Sequence, residues 1–292
     1  MAEMRAFPGD VADVVDQELD RLLPAKHDGA ETLVEAMRWS LFAGGKRFRP
    51  ALIFASGRIF GGLEKELPAT AAAVEMIHTY SLIHDDLPSM DNDDLRRGRE
   101  TCHKKFGEST AILAGDALQA MSFQVIADDA NLSEQTRLRL LSGLGYAASR
   151  MVAGQQLDLE AEGKEISIDE VRHIHENKTG ALIEFSVFAG AVIGSARAAE
   201  IDAIKTYGRE IGLLFQITDD LLDVTETSES LGKTAGKDAA TNKATYPHLL
   251  GVAGAKKLAD EAAARASAAL QQIDRQTEIL EKFIDYLSNR GS

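Results

Sequence analysis

The chain has 292 residues, 32 basic and 46 acidic, for a formal charge of −14 at pH 7. That charge excludes a general nucleic-acid binder, whose phosphate contacts need a basic surface, and it obliges any anionic substrate to be met by locally gathered cations and recruited metal. Few prolines, abundant alanine and leucine, and apolar residues recurring at helical spacing predict an all-α chain with few or no strands; with no Pro/Gly/Ser-rich linker, a single domain over 1–292 is expected.

Met1 to Asp20 is acidic and lacks the charged-then-apolar pattern of a signal segment. Cys102 is the only cysteine, so no intrachain disulfide is possible, and a reducing, cytoplasmic compartment is expected. Helices are predicted over 10–24, ending near Pro24, and over 30–43, stopped by Gly44-Gly45. The turn Gly44-Gly45-Lys46-Arg47-Phe48-Arg49-Pro50 places three cations where glycine loosens the backbone, an arrangement able to hold an anion or simply to face solvent. Pro50 fits the first turn of a third helix reaching Phe60, which Gly61-Gly62 ends.

The next helix, 68–86, delivers the first acidic cluster, Asp85-Asp86-Leu87-Pro88-Ser89-Met90-Asp91, and Pro88 limits its continuation. His78, about two turns before Asp85 on nearly the same face, is either a hydrogen-bonded buried histidine or a phosphate ligand, with His84 as a supporting partner. Arg96-Arg97-Gly98-Arg99 follows within a few residues, which suits a diphosphate whose oxygens are shared between metal and arginine. Further helices are predicted over 108–129, 133–153, 169–176, 178–195, 198–225 and 254–288. Ala181 to Ala196 comes nearest to a membrane span, but Glu184 interrupts it and the uncharged part is shorter than the ~20 residues a bilayer needs. It reads as a core helix, and no membrane span is expected. The polar, glycine-containing stretch from Thr225 to Ala244 carries three lysines and is a candidate lid.

The helix over 198–225 ends in the second cluster, Asp219-Asp220-Leu221-Leu222-Asp223, where Asp219 and Asp223 share a face and Asp220 is turned away by about 100°. Like charges at that spacing cost stability. One such cluster could be a solvated cap; two, each following an apolar helical segment, point to divalent metal. Oxygen ligands select Mg2+, which takes one or two carboxylates and completes its shell with water and substrate phosphate.

Ile77-His78-Thr79-Tyr80-Ser81-Leu82-Ile83-His84-Asp85-Asp86, continuing to Arg97-Gly98, together with Phe215-Gln216-Ile217-Thr218-Asp219-Asp220-Leu221-Leu222-Asp223, resembles the trans-isoprenyl diphosphate synthases of bacterial short-chain type. Gly45 to Pro50, Gly154-Gln155-Gln156-Leu157-Asp158, Lys178-Thr179-Gly180 and Leu231-Gly232-Lys233 extend the resemblance over roughly 30–250. It implies an all-helical fold around a deep central cavity, usually as a homodimer. It also implies Mg2+-dependent condensation of isopentenyl diphosphate with an allylic diphosphate, dimethylallyl or geranyl, the departing diphosphate taking the proton. Such chemistry needs preorganised cations for the leaving group and a dry apolar cavity for the carbocation. No Ser/His/Asp or Cys/His arrangement is required, and the sequence offers none.

Carried over by position, the resemblance makes Asp85, Asp91 and Asp219 the main metal ligands, with Asp86, Asp220 and Asp223 in support. It implies three Mg2+ per active site, for which Mn2+ can substitute. Lys46, Arg49, His78 and Arg97 match the set holding isopentenyl diphosphate; Arg96, Lys178, Thr179, Gln216 and Lys233 match the allylic set, with Lys243 a weaker candidate. Asp85, Asp91, Asp219, Lys178 and Lys233 are the expected catalytic groups. Tyr80 and Ser81 are the expected chain-length determinants, Tyr80 lying ~7.5 Å along the helix from Asp85. The resemblance favours a C15 product, farnesyl diphosphate, with C20 geranylgeranyl diphosphate second. A terpene cyclase or head-to-head synthase would not be expected to carry Lys46, Arg49 and Arg97 beside a complete second cluster, and a non-catalytic subunit would be expected to have damaged clusters.

Overall fold

A computed structural model describes residues 2–23, 29–225 and 244–290, and these are helical almost throughout, so the all-α expectation holds. The chain forms two compact units, one of Met1–Phe54 with Leu63–Leu141 and one of Ala55–Gly62 with Ser142–Ser292.

The first unit contains α1 (Ala2–Leu22), α2 (Glu31–Leu41), the first part of α3 (Phe48–Phe60), α4 (Pro68–Asp85), α5 (Cys102–Phe106), α6 (Glu108–Ala127) and the start of α7 (Glu134–Ala161). Its axis is α4, in which every residue from Ala69 to Ile77 is buried. Its run of alanines lets neighbouring helices approach, and α4 packs most extensively on α6. Gly115 of α6 sits against the His84 imidazole of α4, and any Cβ there would overlap the ring. Between α4 and α5 a short antiparallel ribbon pairs Leu95–Arg96 with Arg99–Glu100. Both residues at its tip, Arg97 (φ 53°) and Gly98 (φ 75°), are left-handed, as a two-residue hairpin turn of matching twist demands.

In the second unit α8 (Ile168–His175) passes through a π-helical turn, Glu176–Gly180, into α9 (Ala181–Ile193); α10 (Ala198–Thr225), α11 (Tyr246–Leu270) and α12 (Glu278–Arg290) follow. α9 is buried along its whole length except Glu184 and Phe188, the core helix expected of its composition. It packs on α10, which also carries α11 and α12. The Tyr207 hydroxyl, fully buried on α10, donates to the Leu280 carbonyl at 2.8 Å.

Three expectations change. The helix predicted over 254–288 is two helices, because Thr245 caps an earlier start at Tyr246-Pro247 and the chain turns between Leu270 and Glu278; Gly251 (φ 69°) kinks the first. α7 continues to Ala161, with Gly154 inside it. And α9, at 13 residues, is too short to be the nearest approach to a membrane span; among the described residues only α6, with 20, passes that test by length and composition, and it packs within its unit on α2, α4 and α5. The expected stop at Pro24 and the expected lid with Lys233 and Lys243 lie outside the described residues.

In the second unit a buried carboxylate, Glu200 (2% exposed), joins the start of α10 to the turn before α12. It accepts from the Arg197 backbone N–H at 2.7 Å, Arg197 Nη2 at 3.0 Å and Arg275 Nε at 2.9 Å, and these donors hold its carboxyl down to about 2, from an ordinary 4.5. Arg275 in turn lies over the Phe60 ring. A depressed carboxyl contributes stability that is complete above its unfolded value and is lost as pH falls from there toward its folded one. Glu200→Gln should therefore melt a few degrees lower than the wild type at neutral pH, and the gap should narrow in melts taken at about pH 3.

Candidate active site

In the first unit, α4 ends at Asp85 and the chain folds straight back. The Asp91 N–H donates to the Asp85 carbonyl at 2.8 Å, the Asn92 N–H to Leu87 at 3.1 Å and the Asp93 N–H to Asp86 at 3.2 Å. This loop returns Asp91, exposed, beside the half-buried Asp85. Asp86 turns inward, 3% exposed, where Arg96 grips it: Nε lies 2.9 Å from both carboxylate oxygens and Nη2 2.6 Å from Oδ1. Burial pushes the Asp86 carboxyl up, and Arg96 opposes that push. These two residues, expected on metal and diphosphate, are thus engaged with each other.

The glycine-rich turn and the arginine turn come together here. The Arg97 guanidinium rests on Gly45, whose φ of 138° suits glycine and whose missing Cβ leaves the space Arg97 fills. Lys46 is exposed and Arg49 half-buried. Arg47 departs from the anion-binding expectation. It is buried, donating from Nε to Asp16 at 2.9 Å, from Nη1 to Glu75 at 2.6 Å and from Nη2 to the Leu41 carbonyl at 2.8 Å. Glu75 sits in the buried stretch of α4, and Arg47 is its counter-ion, whose removal would leave a buried charge uncompensated. The turn therefore offers two cations, not three.

Burial holds the His78 imidazole well below 6.5, and the positive charges of Arg49, Arg97, Arg96 and Arg47 act in the same direction, so His78 is neutral. Tyr80, 5% exposed, meets the His84 ring edge-on with centroids 5.8 Å apart. Burial, aided by the Asp85 charge, pushes its phenol up to about 12. The Ser81 hydroxyl donates back to the His78 carbonyl at 2.8 Å.

In the second unit the π-helical turn carries Lys178 and Thr179. Its approach to α7 and α10 depends on glycine: a Cβ at Gly154 would overlap the Lys178 backbone, and one at Gly212 would stand 2.9 Å from the Gly180 Cα. Lys178 Nζ pairs with Asp158 Oδ2 at 2.6 Å. Thr179 Oγ1 donates to Gln216 Oε1 at 3.0 Å, Gln216 Nε2 to Asp220 Oδ1 at 2.9 Å, and the Tyr246 N–H to Asp220 Oδ2 at 3.2 Å. Asp220 thus anchors the start of α11, while Asp219 is half-buried on another face and Asp223 is buried. Arg290, at the end of α12, reaches Asp219 Oδ1 at 3.5 Å. Sequence reasoning missed this residue, since a lone cation at the end of a distant helix carries no local signal.

Among the described residues no three His, Cys, Asp or Glu side chains gather closely enough to enclose an ion by themselves. A structural zinc site would need such a closed set. The looser, all-oxygen arrangement of Asp85 and Asp91, and of Asp219 and Asp223, fits Mg2+, which leaves much of its shell to water and phosphate oxygens.

Residues 30–287 match the family model described as polyprenyl synthetase. The chain is 48% identical, over 86% of both sequences, to a farnesyl diphosphate synthase of Geobacillus stearothermophilus. It is 44% identical to a chloroplastic geranylgeranyl pyrophosphate synthase of Capsicum annuum, over 95% of this chain and 76% of that one. An apo crystal structure of an FPP/GFPP synthase from Zymomonas mobilis superposes with a TM-score of 0.88 at 36% identity, over 98% of this chain and 100% of that one.

Gly154→Ala drives a methyl group into the Lys178 backbone. It should destabilise the protein by about 1–3 kcal/mol in denaturant melts, and pyrophosphate with Mg2+ should raise the melting temperature of the wild type but not of this variant.

Proposed function

This chain belongs to the polyprenyl synthetase family, and from that premise we propose that it is a Mg2+-dependent trans-prenyltransferase. It condenses isopentenyl diphosphate with dimethylallyl and geranyl diphosphates to a short all-trans product, farnesyl diphosphate (C15), with geranylgeranyl diphosphate (C20) as the second reading. The observation that carries it is the gathering of Arg49, Arg97 and a neutral His78 in the unit that also bears Asp85 and Asp91.

In this reading Lys46, Arg49 and Arg97 hold the isopentenyl diphosphate, which is not released, and His78 donates a hydrogen bond without adding charge. Lys178 exchanges Asp158 for an oxygen of the allylic diphosphate, with Thr179 and Gln216 beside it. Asp85, Asp91, Asp219 and Asp223 would hold Mg2+, three ions per site with Mn2+ able to substitute, while Asp86 and Asp220 act through Arg96 and Gln216. Arg96 and Lys233 complete the proposed allylic set, Lys233 with Lys178 among the catalytic groups. Mg2+, when bound, supplies the charge that lets the allylic C–O bond break. The isopentenyl double bond then forms the new C–C bond, and the departing diphosphate accepts the proton lost from the adjacent carbon. Tyr80, buried one and a half turns before Asp85, and Ser81 set product length.

The family match runs through both units, which supports one catalytic domain over 1–292. α6 leaves Ile112 (44%) and Leu113 (57%) exposed on an apolar helix, which supports a homodimer that covers them with a second copy. The single Cys102, buried and pushed up to about 11 mainly by that burial, is suited to a reducing cytoplasm.

Chromatography of products from isopentenyl and dimethylallyl diphosphates with Mg2+ should give farnesyl diphosphate, with none formed in EDTA. A predominant C20 product selects the second reading; hydrocarbon from farnesyl diphosphate alone would replace both with a cyclase. Tyr80→Ala should lengthen the product by one or more C5 units, and an unchanged length would remove Tyr80 from chain-length control.

A further inference from the structure

Trp39, the only tryptophan, lies near the end of α2 and belongs to neither acidic cluster nor cation turn. Its indole Nε1–H donates to the Glu100 carbonyl at 2.9 Å. The Arg99 guanidinium carbon stands 3.7 Å from its ring centroid and Lys105 Nζ 4.4 Å, while the Phe106 ring meets it edge-on at 6.1 Å. All four partners belong to the second strand of the ribbon or to α5 just beyond it.

The ribbon cannot hold itself. It has two residues per strand, and isolated hairpins even longer than this are marginal in water. Its register also sets Arg96 directly opposite Arg99, a like-charge pair that pushes the strands apart. Each arginine is drawn off to a different anchor, Arg96 to the Asp86 carboxylate and Arg99 to the Trp39 face. The tip between them is Arg97–Gly98, and Arg97 is the residue laid on Gly45.

We propose that Trp39 is a positioning residue for diphosphate binding, holding one leg of the arginine hairpin so that Arg97 at its tip faces the substrate at a fixed place. This rests on the reading of Arg97 as an isopentenyl diphosphate ligand.

Steady-state kinetics of the full chain test it. Trp39→Leu should raise KM for isopentenyl diphosphate about ten-fold with kcat changed less than about two-fold. Trp39→Phe, which keeps an aromatic face for Arg99 but not the N–H donor, should recover most of that loss. Equal effects of Leu and Phe, or a uniform fall in kcat with KM unchanged, would overturn the proposal. Arg97→Gln separates the two levels. If it leaves KM unchanged, the reading of the turn falls and this proposal with it; if it raises KM while Trp39→Leu does not, only the role of Trp39 falls. Should Trp39→Leu fail to fold, the wild type still decides: titration with isopentenyl diphosphate should change the tryptophan emission saturably, and binding seen by calorimetry with flat emission would refute the role.

Discussion

Four carboxylates taken out of water in this chain are each set beside a fixed cation, and with 46 acidic residues against 32 basic ones each such pairing removes a scarce positive charge from other use. Glu75 takes Arg47, Asp86 takes Arg96, Asp158 takes Lys178, and Glu200 takes both Arg197 and Arg275. The assignments divide the cations by depth. Arg47 is committed to the interior of the first unit, whereas Lys46 on one side of it remains exposed and Arg49 on the other is only half-buried. Neighbours in sequence thus do opposite work, with Arg47, whose backbone is left-handed (φ 46°), buried between them.

Glycine determines how closely those charges can be set. Arg97 lies on Gly45, the Lys178 backbone on Gly154, and Gly212 on Gly180; in each case a methyl group would occupy the space of a group that positions charge. The π-helical turn adds a second device. Its extra residue per turn shifts the facing of everything after it, so that Lys178 points to Asp158 on α7 while Thr179 points to Gln216 on α10. An uninterrupted α-helix would carry these two consecutive side chains about 100° apart on a fixed spiral, without the local adjustment the turn permits.

What was legible in the sequence was what local pattern encodes. Apolar spacing and the Gly and Pro stops located most helices to within a few residues, and the acidic clusters and cation turns were visible as strings. What was not legible depends on partners far along the chain. Arg47 reads as one more cation in a basic turn until Asp16 and Glu75, 31 and 28 residues away, are brought to it. Asp220 reads as a member of its cluster until the start of α11 arrives to donate the Tyr246 N–H. The break between α11 and α12 escaped because both helices are rich in good helix formers and no proline or glycine stands between Leu270 and Glu278 to announce it.

Arg49 and Arg97 of the first unit and Lys178 of the second are chemically different cations, and the difference matches what each diphosphate must undergo in the proposed reaction. The isopentenyl diphosphate stays on its carbon, so it can be held by guanidinium groups, whose planar fork makes paired, directional bonds and gives them up reluctantly. Arg49 and Arg97 are the groups proposed to serve there, and among them the imidazole of His78 is kept neutral by burial and by the surrounding positive charge, so it can hydrogen-bond without adding to the repulsion between the arginines. The allylic diphosphate must instead become a leaving group and then depart. Lys178, a compact point charge on a flexible stem, already has an alternative partner in Asp158 at 2.6 Å. Release of the product diphosphate therefore need not strand a bare ammonium group, because the carboxylate that held it before binding takes it back. In the proposed reading, a guanidinium at position 178 would make paired bonds to the leaving group and exchange it more slowly than a lysine does.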